Sequence, residues 1–450
     1  MFSLGRTKKI QIKRILNIAI PSGLQSGLDM LSVSLALFYL GGISSLHFTA
    51  LNTGAKYIIV FYPISAIFGI GTNVLMSRRF GAKNYVEMNR VYATIILSAC
   101  FISLPMLYLI YLGIPYYLNL FNLSNELYTL TYSYVSLTIF ALPSIIIKNV
   151  LISGFAATGD TKRPFFIKIF LTLLSILGYY LFIEGRFGFP SLGLIGAAYV
   201  SLFISYLEMF ILLLLPKFVQ TKLSFSLYFN KTFLLNAFKV GIPTGLERIF
   251  TIASLNVVLI FVGSYAAIYK DSAMSGFQAG TTIEGFSFVP GFGFMVAIMS
   301  LMGQSIGAKN YIRASEYTKL CVILSSIMLG ICGLLLVIFA KPLSAIFIRD
   351  DILGIEISVY YLIAVGLSQI PLILSFVYDG ALRGAGFTQI PLFINIVSIS
   401  IFRLLPMWLC THFGFSIYML FVIIFIETYI RALIFYLVFR SGVWKKPKKL

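Results

Sequence analysis

Apolar residues in this chain come in long unbroken runs. They show neither the alternation of a half-buried strand nor the narrow stripe of a soluble amphipathic helix. A helix needs about 20 predominantly apolar residues to cross the hydrocarbon core of a bilayer. Twelve runs have that length: 15–41, 48–77, 91–113, 127–153, 165–184, 192–215, 236–264, 274–304, 317–340, 354–381, 390–410 and 415–439. The pattern predicts an all-α integral membrane protein with twelve transmembrane helices. A basic segment precedes the first run, as in a secretion signal. Its apolar stretch from Asn17 to Leu40 is too long for one and holds Pro21 and Asp29, so it reads as the first span.

The segments that follow the runs repeat. Phe80-Gly81-Ala82-Lys83-Asn84-Tyr85 returns as Ile306-Gly307-Ala308-Lys309-Asn310-Tyr311, at an offset of 226. Gly159-Asp160-Thr161-Lys162-Arg163-Pro164 returns as Gly386-Phe387-Thr388-Gln389-Ile390-Pro391, at an offset of 227. Ile20-Pro21 returns as Ile242-Pro243, at 222. A nearly constant offset means a six-helix unit repeated in parallel orientation. The expected organisation is an N-terminal lobe (1–216), a cytoplasmic linker (217–235) and a C-terminal lobe (236–450). Two such lobes suit alternating access.

Charge sets the orientation. With both termini inside, 25 basic residues, Lys168, Arg383, Lys448 and Lys449 among them, fall on inner segments and only Arg186, Lys270, Lys341 and Arg349 on outer loops. By the positive-inside rule both termini are cytoplasmic, in an inner or plasma membrane. The net charge of +19 therefore reports topology and not a nucleic-acid surface, since no continuous basic face is visible. Only 11% of residues are charged and 59% are hydrophobic, which excludes a soluble fold. Cys100, Cys321, Cys332 and Cys410 lie in apolar runs without CxxC spacing, and His47 and His412 lie far from the acids, so no metal site is expected. Gly159-Asp160-Thr161-Lys162 lacks the upstream glycines of a P-loop, so no ATPase activity and no cofactor are expected.

The repeated motifs also resemble those of the multidrug and toxic-compound extrusion (MATE) transporters of the MOP flippase superfamily. Ser77-Arg78-Arg79-Phe80-Gly81-Ala82-Lys83-Asn84 and Gly303-Gln304-Ser305-Ile306-Gly307-Ala308-Lys309-Asn310 carry the likeness after spans 2 and 8. Phe288-Val289-Pro290-Gly291-Phe292-Gly293-Phe294, Gly380-Ala381-Leu382-Arg383-Gly384-Ala385-Gly386 and the ending Phe439-Arg440-Ser441-Gly442-Val443-Trp444 extend it. The resemblance implies export of small organic, often cationic, compounds in exchange for H⁺ or Na⁺. One chain already holds both lobes, so a monomer suffices.

Charges inside the spans carry the candidate chemistry. The acids are Asp29, Glu208, Glu247, Glu284, Asp379 and Glu427; the bases are Lys56, Lys148, Arg248, Arg403 and Arg431. Each costs about 2.5–3.5 kcal/mol at a helix centre, so they must pair, face water or reach the interface. Glu247 lies one turn after Pro243, whose missing N–H leaves a carbonyl free. The resemblance implies coupling acids on spans 7, 8 and 10, which gives Glu247, Glu284 and Asp379; the alternative is that Glu247 neutralises Arg248 or Arg403. The chain departs from the family pattern at Ala36 and Gly178, where relatives often carry Asp and Asn or Asp. Asp29, on the same helix face as Ala36, is the candidate to stand in, with Lys56 or Lys148 as partner. Glu208 and Glu427 read as structural. Phe286, Phe288, Phe292 and Phe294 could line a cavity for flat cations or simply pack.

The leading expectation is a secondary antiporter for cationic drugs or metabolites, the span acids at least balancing the bases. The alternatives are a lipid-linked oligosaccharide flippase of the same superfamily, which would want a cationic cavity, and an intramembrane enzyme. No HExxH or GxSxG supports the last.

Overall fold

In the computed structural model, residues 6–41, 44–121, 123–348 and 351–446 are described, and every regular element among them is helical. Arg349, Lys448 and Lys449 of the charge tally lie outside the described residues. The first nine helices are α1 (Arg6–Gly41), α2 (Ser45–Ile59), α3 (Tyr62–Gly81), α4 (Tyr85–Asn119), α5 (Asn125–Thr138), α6 (Leu142–Thr158), α7 (Lys162–Phe182), α8 (Gly193–Phe218) and α9 (Lys231–Gly263). The remainder are α10 (Ala266–Tyr269), α11 (Ser272–Gly307), α12 (Tyr311–Ile338), α13 (Ala340–Phe347), α14 (Ile352–Leu367), α15 (Gln369–Gly384), α16 (Gln389–Ile399), α17 (Leu405–His412) and α18 (Ile417–Arg440).

Ten stretches are long and apolar enough to cross a membrane, and each of two bent pairs supplies one more span, giving the twelve expected. The bent pairs are α2 with α3, at 43°, and α14 with α15, at 52°. Two further spans change helix type without such a bend: α5 and α6 through a 3₁₀ turn at Ile139–Ala141, α16 and α17 through a π turn at Ser400–Leu404. Proline stands just beyond each of the four breaks, at Pro63, Pro143, Pro371 and Pro406. Its missing N–H and its ring both interrupt the ladder there. At the offset of 227, the α14–α15 break falls on the 3₁₀ turn of span 4, so the irregularity belongs to the repeat.

The repeated sequence motifs are helix stops. Lys83 adopts a left-handed φ of 58° and Lys309 one of 55°. The Asn84 N–H donates to the Arg79 carbonyl and the Asn310 N–H to the Ser305 carbonyl, both at 2.9 Å, closing a Schellman turn. Each asparagine then starts the next helix: Asn84 Oδ1 accepts from the Glu87 N–H at 3.1 Å, and Asn310 Oδ1 from the Arg313 N–H at 2.8 Å. The other repeated pair closes the same way through Gly159 (φ 88°) and Gly386 (φ 79°). Conservation of backbone geometry between the halves explains why these short stretches match while the spans do not.

The chain divides into two compact units. One takes residues up to Gly23 together with Leu246 onward; the other is Leu24–Gly245. In the first, the opening of α1 packs on α11, where a Cβ at Gly293 would overlap the Ala19 carbonyl. Arg14 Nη2 donates to Gln304 Oε1 at 2.5 Å and Gln11 Nε2 to Glu316 Oε2 at 2.7 Å. In the second, the opening of α9 packs on α3, where a Cβ at Gly241 would overlap the Ile67 carbonyl. Lipid is as apolar as these side chains, so close backbone approach at small residues has to hold such helices together. The stretch after α8 and the start of α9 lie on the same unit: Ser224 N–H donates to Asn89 Oδ1 at 3.0 Å, Arg90 stands 5.1 Å from the ring of Tyr228, and Arg79 stands 5.1 Å from that of Phe233.

Asp351 ties two helix starts together in the first unit. Its carboxylate accepts from Ser272 Oγ, Ser275 Oγ and the Gly354 N–H, all at 2.8 Å. Partial burial pushes its pKa up, but the hydrogen bonds from Gly354, Ser272 and Ser275 together outweigh burial, and the net shift is downward. A depressed folded pKa stabilises above the unfolded value and loses that contribution as pH falls through the folded one. Asp351→Ala is therefore expected to cost about 1 kcal/mol near pH 7. The deficit should shrink below about pH 4, as read by thermal unfolding in detergent across pH. Lys309→Gly is expected to stabilise by about 1 kcal/mol in the same assay, because glycine enters the left-handed region without a Cβ clash.

Candidate functional site

The unit containing α11–α18 holds three carboxylate clusters. In the first, Arg383 is the hub. It sits in the last turn of α15 and is 3% exposed. Its Nη2 donates to Glu247 Oε1 and Oε2 at 2.8 and 2.7 Å and to Asp379 Oδ2 at 2.9 Å, and its Nε donates to Asp379 Oδ1 at 2.5 Å. Asn395 Nδ2 on α16 adds a donor to Glu247 Oε1 at 2.8 Å. Three helices, α9, α15 and α16, thus converge on one buried ion cluster, and only the planar guanidinium fork serves both acids at once. The partner of Glu247 is neither Arg248, which is exposed beside it, nor Arg403. Arg383 was counted among the loop cations; its i,i+4 spacing from Asp379 was the available signal.

The second cluster surrounds Glu427 on α18, whose side chain is fully buried. Arg403 Nη2 donates to Oε2, Ser398 Oγ donates to Oε1 at 2.8 Å, and Arg431 Nε lies 3.2 Å from Oε1. The third is Glu284 on α11, half-buried. Tyr361 Oη of α14 donates to its Oε2 at 2.5 Å. That ring is wedged edge-on between Phe277 (5.2 Å) and Phe421 (5.4 Å), which fixes its hydroxyl. Among the described residues, Glu284 is the one candidate span acid with no ion pair.

The Leu24–Gly245 unit carries a chain of alternating charge. Lys168 Nζ on α7 lies 2.5 Å from Asp29 Oδ1 and 3.4 Å from Glu208 Oε2, and Lys148 Nζ lies 3.0 Å from the same Glu208 oxygen. Glu208 and Lys168 are buried; Asp29 is more than half exposed. Lys56 is exposed on α2 and has no ion pair among the described residues. Lys168, another cation assigned to a loop, is thus the partner of Asp29. With Lys168 and Arg383 buried, the six span acids face seven bases instead of five, and without the exposed Asp29, Lys56 and Arg248 five face five.

Of the phenylalanines, Phe286 is exposed, Phe288 and Phe292 lie against Phe376 at 6.2 and 5.7 Å, and Phe294 is core.

The MatE family model matches residues 18–181 and 243–409, once in each half of the repeat. The chain belongs to the MATE family. Within it, a probable multidrug resistance protein of Thermotoga maritima, NorM, is 26% identical over 96% of this chain and 93% of its own. An uncharacterized transporter of Bacillus subtilis, YisQ, is 26% identical over 87% and 86%. In fold, the chain is similar to a MOP superfamily transporter from Pyrococcus furiosus (TM-score 0.89, 16% identity, 97% of both chains) and to a mutant of the Vibrio cholerae MATE transporter VcmN (0.88, 18%, 97% of both). The protein is thus a multi-pass membrane transporter of the multidrug efflux family, and not an enzyme.

At Ala36 and Gly178, where the resemblance led to polar residues being expected, the packing is apolar. A Cβ at Gly178 would meet Val200 Cγ1 at 2.8 Å, so valine fills the room that a polar side chain there would need. Ala36 is buried and apolar.

Arg383→Ala would strand two buried carboxylates and is expected to cost roughly 3–5 kcal/mol. Asn395→Ala removes one donor only and is expected to cost about 1–3 kcal/mol. Thermal unfolding of the two purified variants, side by side, checks the order.

Proposed function

We propose that this MATE protein is a secondary active antiporter. It exports organic, cationic drugs or metabolites in exchange for H⁺ or Na⁺ by alternating access, as a monomer with both termini cytoplasmic. Family membership supports export of small organic compounds, and the excess of basic residues on one set of loops supports the orientation.

Coupling needs a carboxylate that is free to take a cation. Glu247, Asp379 and Asp29 were the other candidates, and each already has a side-chain cation. A carboxylate held by arginine gains little from H⁺ or Na⁺, because the guanidinium must first be displaced. The observation that carries the reading is that Glu284 has a tyrosine hydroxyl and, among the described residues, no ion pair. A carboxylate so placed in a membrane is best satisfied by a bound ion, a proton or a positively charged cargo, and each excludes the others. That competition is what antiport requires.

The second reading is a lipid-linked oligosaccharide flippase of the superfamily, which would want an excess of bases; without the exposed Asp29, Lys56 and Arg248, five span acids face five bases.

Ethidium extrusion from cells stripped of their own exporters tests both. Glu284→Gln is expected to bring extrusion at matched expression to background, while Glu247→Gln retains a substantial part of it. Extrusion undiminished by Glu284→Gln would remove Glu284 from coupling. No extrusion of ethidium or other cationic dyes by the wild type would favour the flippase. Imposed pH and Na⁺ gradients in proteoliposomes then identify the coupling ion.

A further inference from the structure

The stretch that joins α8 to α9 bares apolar side chains where the backbone is neither helix nor strand. Phe225, Leu227 and Phe229 are 39%, 85% and 58% exposed, and Phe218 at the end of α8 is exposed as well. The backbone that carries them is held in place. Leu223 is buried, Asn89 Nδ2 donates to the Lys222 carbonyl at 3.2 Å, and Asn89 Oδ1 accepts from the Ser224 N–H. Thr94 Oγ1 donates to the Tyr228 carbonyl at 3.3 Å, and Arg90 stands over the Tyr228 ring. Tyr228 thus turns to the unit, while its neighbours Leu227 and Phe229 turn away from it. Charge on the segment is one-sided. No acid occurs from Met209 to Leu246, a stretch that carries Lys217, Lys222, Lys231 and Lys239, all exposed. The acids of the neighbouring loops are already taken, Glu87 by Arg79 and Asp160 by Arg163.

We infer that this segment is an interfacial anchor for acidic phospholipids of the adjoining leaflet, with Phe225, Leu227 and Phe229 among the upper acyl chains and Lys217, Lys222 and Lys231 on the phosphates. Both α8 and α9 are long and apolar enough to cross the membrane, so the bilayer lies within a few residues of either end. An irregular backbone facing lipid cannot enter the hydrocarbon core, because its N–H and C=O groups would go unpaired. At the headgroup level water satisfies that backbone, while the apolar side chains still leave the aqueous phase. Lysine suits this place, since its flexible stem lies along apolar surface while the ammonium reaches a phosphate. A neutral lipid would answer the phenylalanines and leave the lysines without counter-charge. An acidic headgroup answers both, and such an anchor serves the protein whatever its cargo.

Leu227→Trp places a fluorescent reporter at the most exposed of these positions. The full chain is held in nanodiscs of phosphatidylcholine with a minor share of phosphatidylglycerol. Bromine is carried on the acyl chains of the phosphatidylglycerol in one set, and of an equal amount of phosphatidylcholine in the other. Emission is taken as the difference from the wild type, which removes the signal of Trp408 and Trp444. Quenching by the acidic lipid is expected to exceed quenching by the neutral one about twofold or more at low salt, and the excess to fade as salt is raised. Lys217→Gln, Lys222→Gln and Lys231→Gln together are expected to abolish the excess and leave quenching by phosphatidylcholine in place. Should that triple variant fail to fold, the salt titration of Leu227→Trp alone gives the same readout. Equal quenching by the two lipids at low salt would overturn the recognition of acidic headgroups. Emission like that of tryptophan in water, quenched by neither lipid, would overturn the anchor and leave this face to a soluble partner.

Discussion

Charge inside a bilayer has to be answered by charge, and that requirement organises this protein more than any apolar contact. Between helices in lipid there is little hydrophobic drive to lose or gain. What fixes α9 to α15 is the demand of Glu247 and Asp379 for a cation, met by a single Arg383, and Asn395 ties α16 to the same Glu247. In the other unit Lys168 does the same for Asp29 and Glu208, joining α1, α7 and α8. Each hub is one base serving two acids from different helices. Losing a hub therefore costs far more than losing a pair on a solvated surface. It also means that most of the acids in the membrane are committed to architecture, and chemistry falls to whichever group the architecture leaves unmatched.

Sequence and structure agree most where local physics is sufficient. The twelve runs become twelve spans, because a continuous apolar stretch has no alternative to a helix in lipid. The repeated motifs mark helix stops, because turn geometry depends on a few adjacent residues. The breaks were less legible. A run such as 354–381 looks uniform in hydropathy, while Pro371 divides it at 52°. The prolines were visible; the size of the bend depends on what packs around the freed carbonyls.

Least legible was the pairing of charges. Arg383 and Lys168 stand near the ends of their apolar runs, and a tally by loops places them in water. Only tertiary packing reveals that the helices extend and close over them. Asp379 and Arg383 share a helix face and could have been matched from spacing, whereas Lys168 and Asp29 are separated by more than half of their unit and could not. The same limit applies to Glu284: that it lacks a cation depends on where every base went, which is a property of the whole fold. Gly178 shows the converse. Its lack of a polar side chain is visible in the sequence, and the structure shows the methyl groups of Val200 where such a side chain would go.

The two compact units each borrow the opening of a helix from the far side of the sequence: α1 up to Gly23 goes with Leu246 onward, and α9 up to Gly245 goes with Leu24 onward. A ribosome delivers the chain in order, so neither unit can finish packing as it emerges. The Leu24–Gly245 unit waits for the opening of α9, the last of its helices to be made, before the seat on α3 is filled. The first turns of α1 wait longer, until α11 is synthesised some 270 residues later. During that interval Arg14 has no Gln304 to bond, Gln11 waits still longer for Glu316 on α12, and the backbone at Ala19 has no Gly293 to pack on. Membrane insertion can proceed helix by helix, but assembly here is a closing event that belongs to the completed polypeptide.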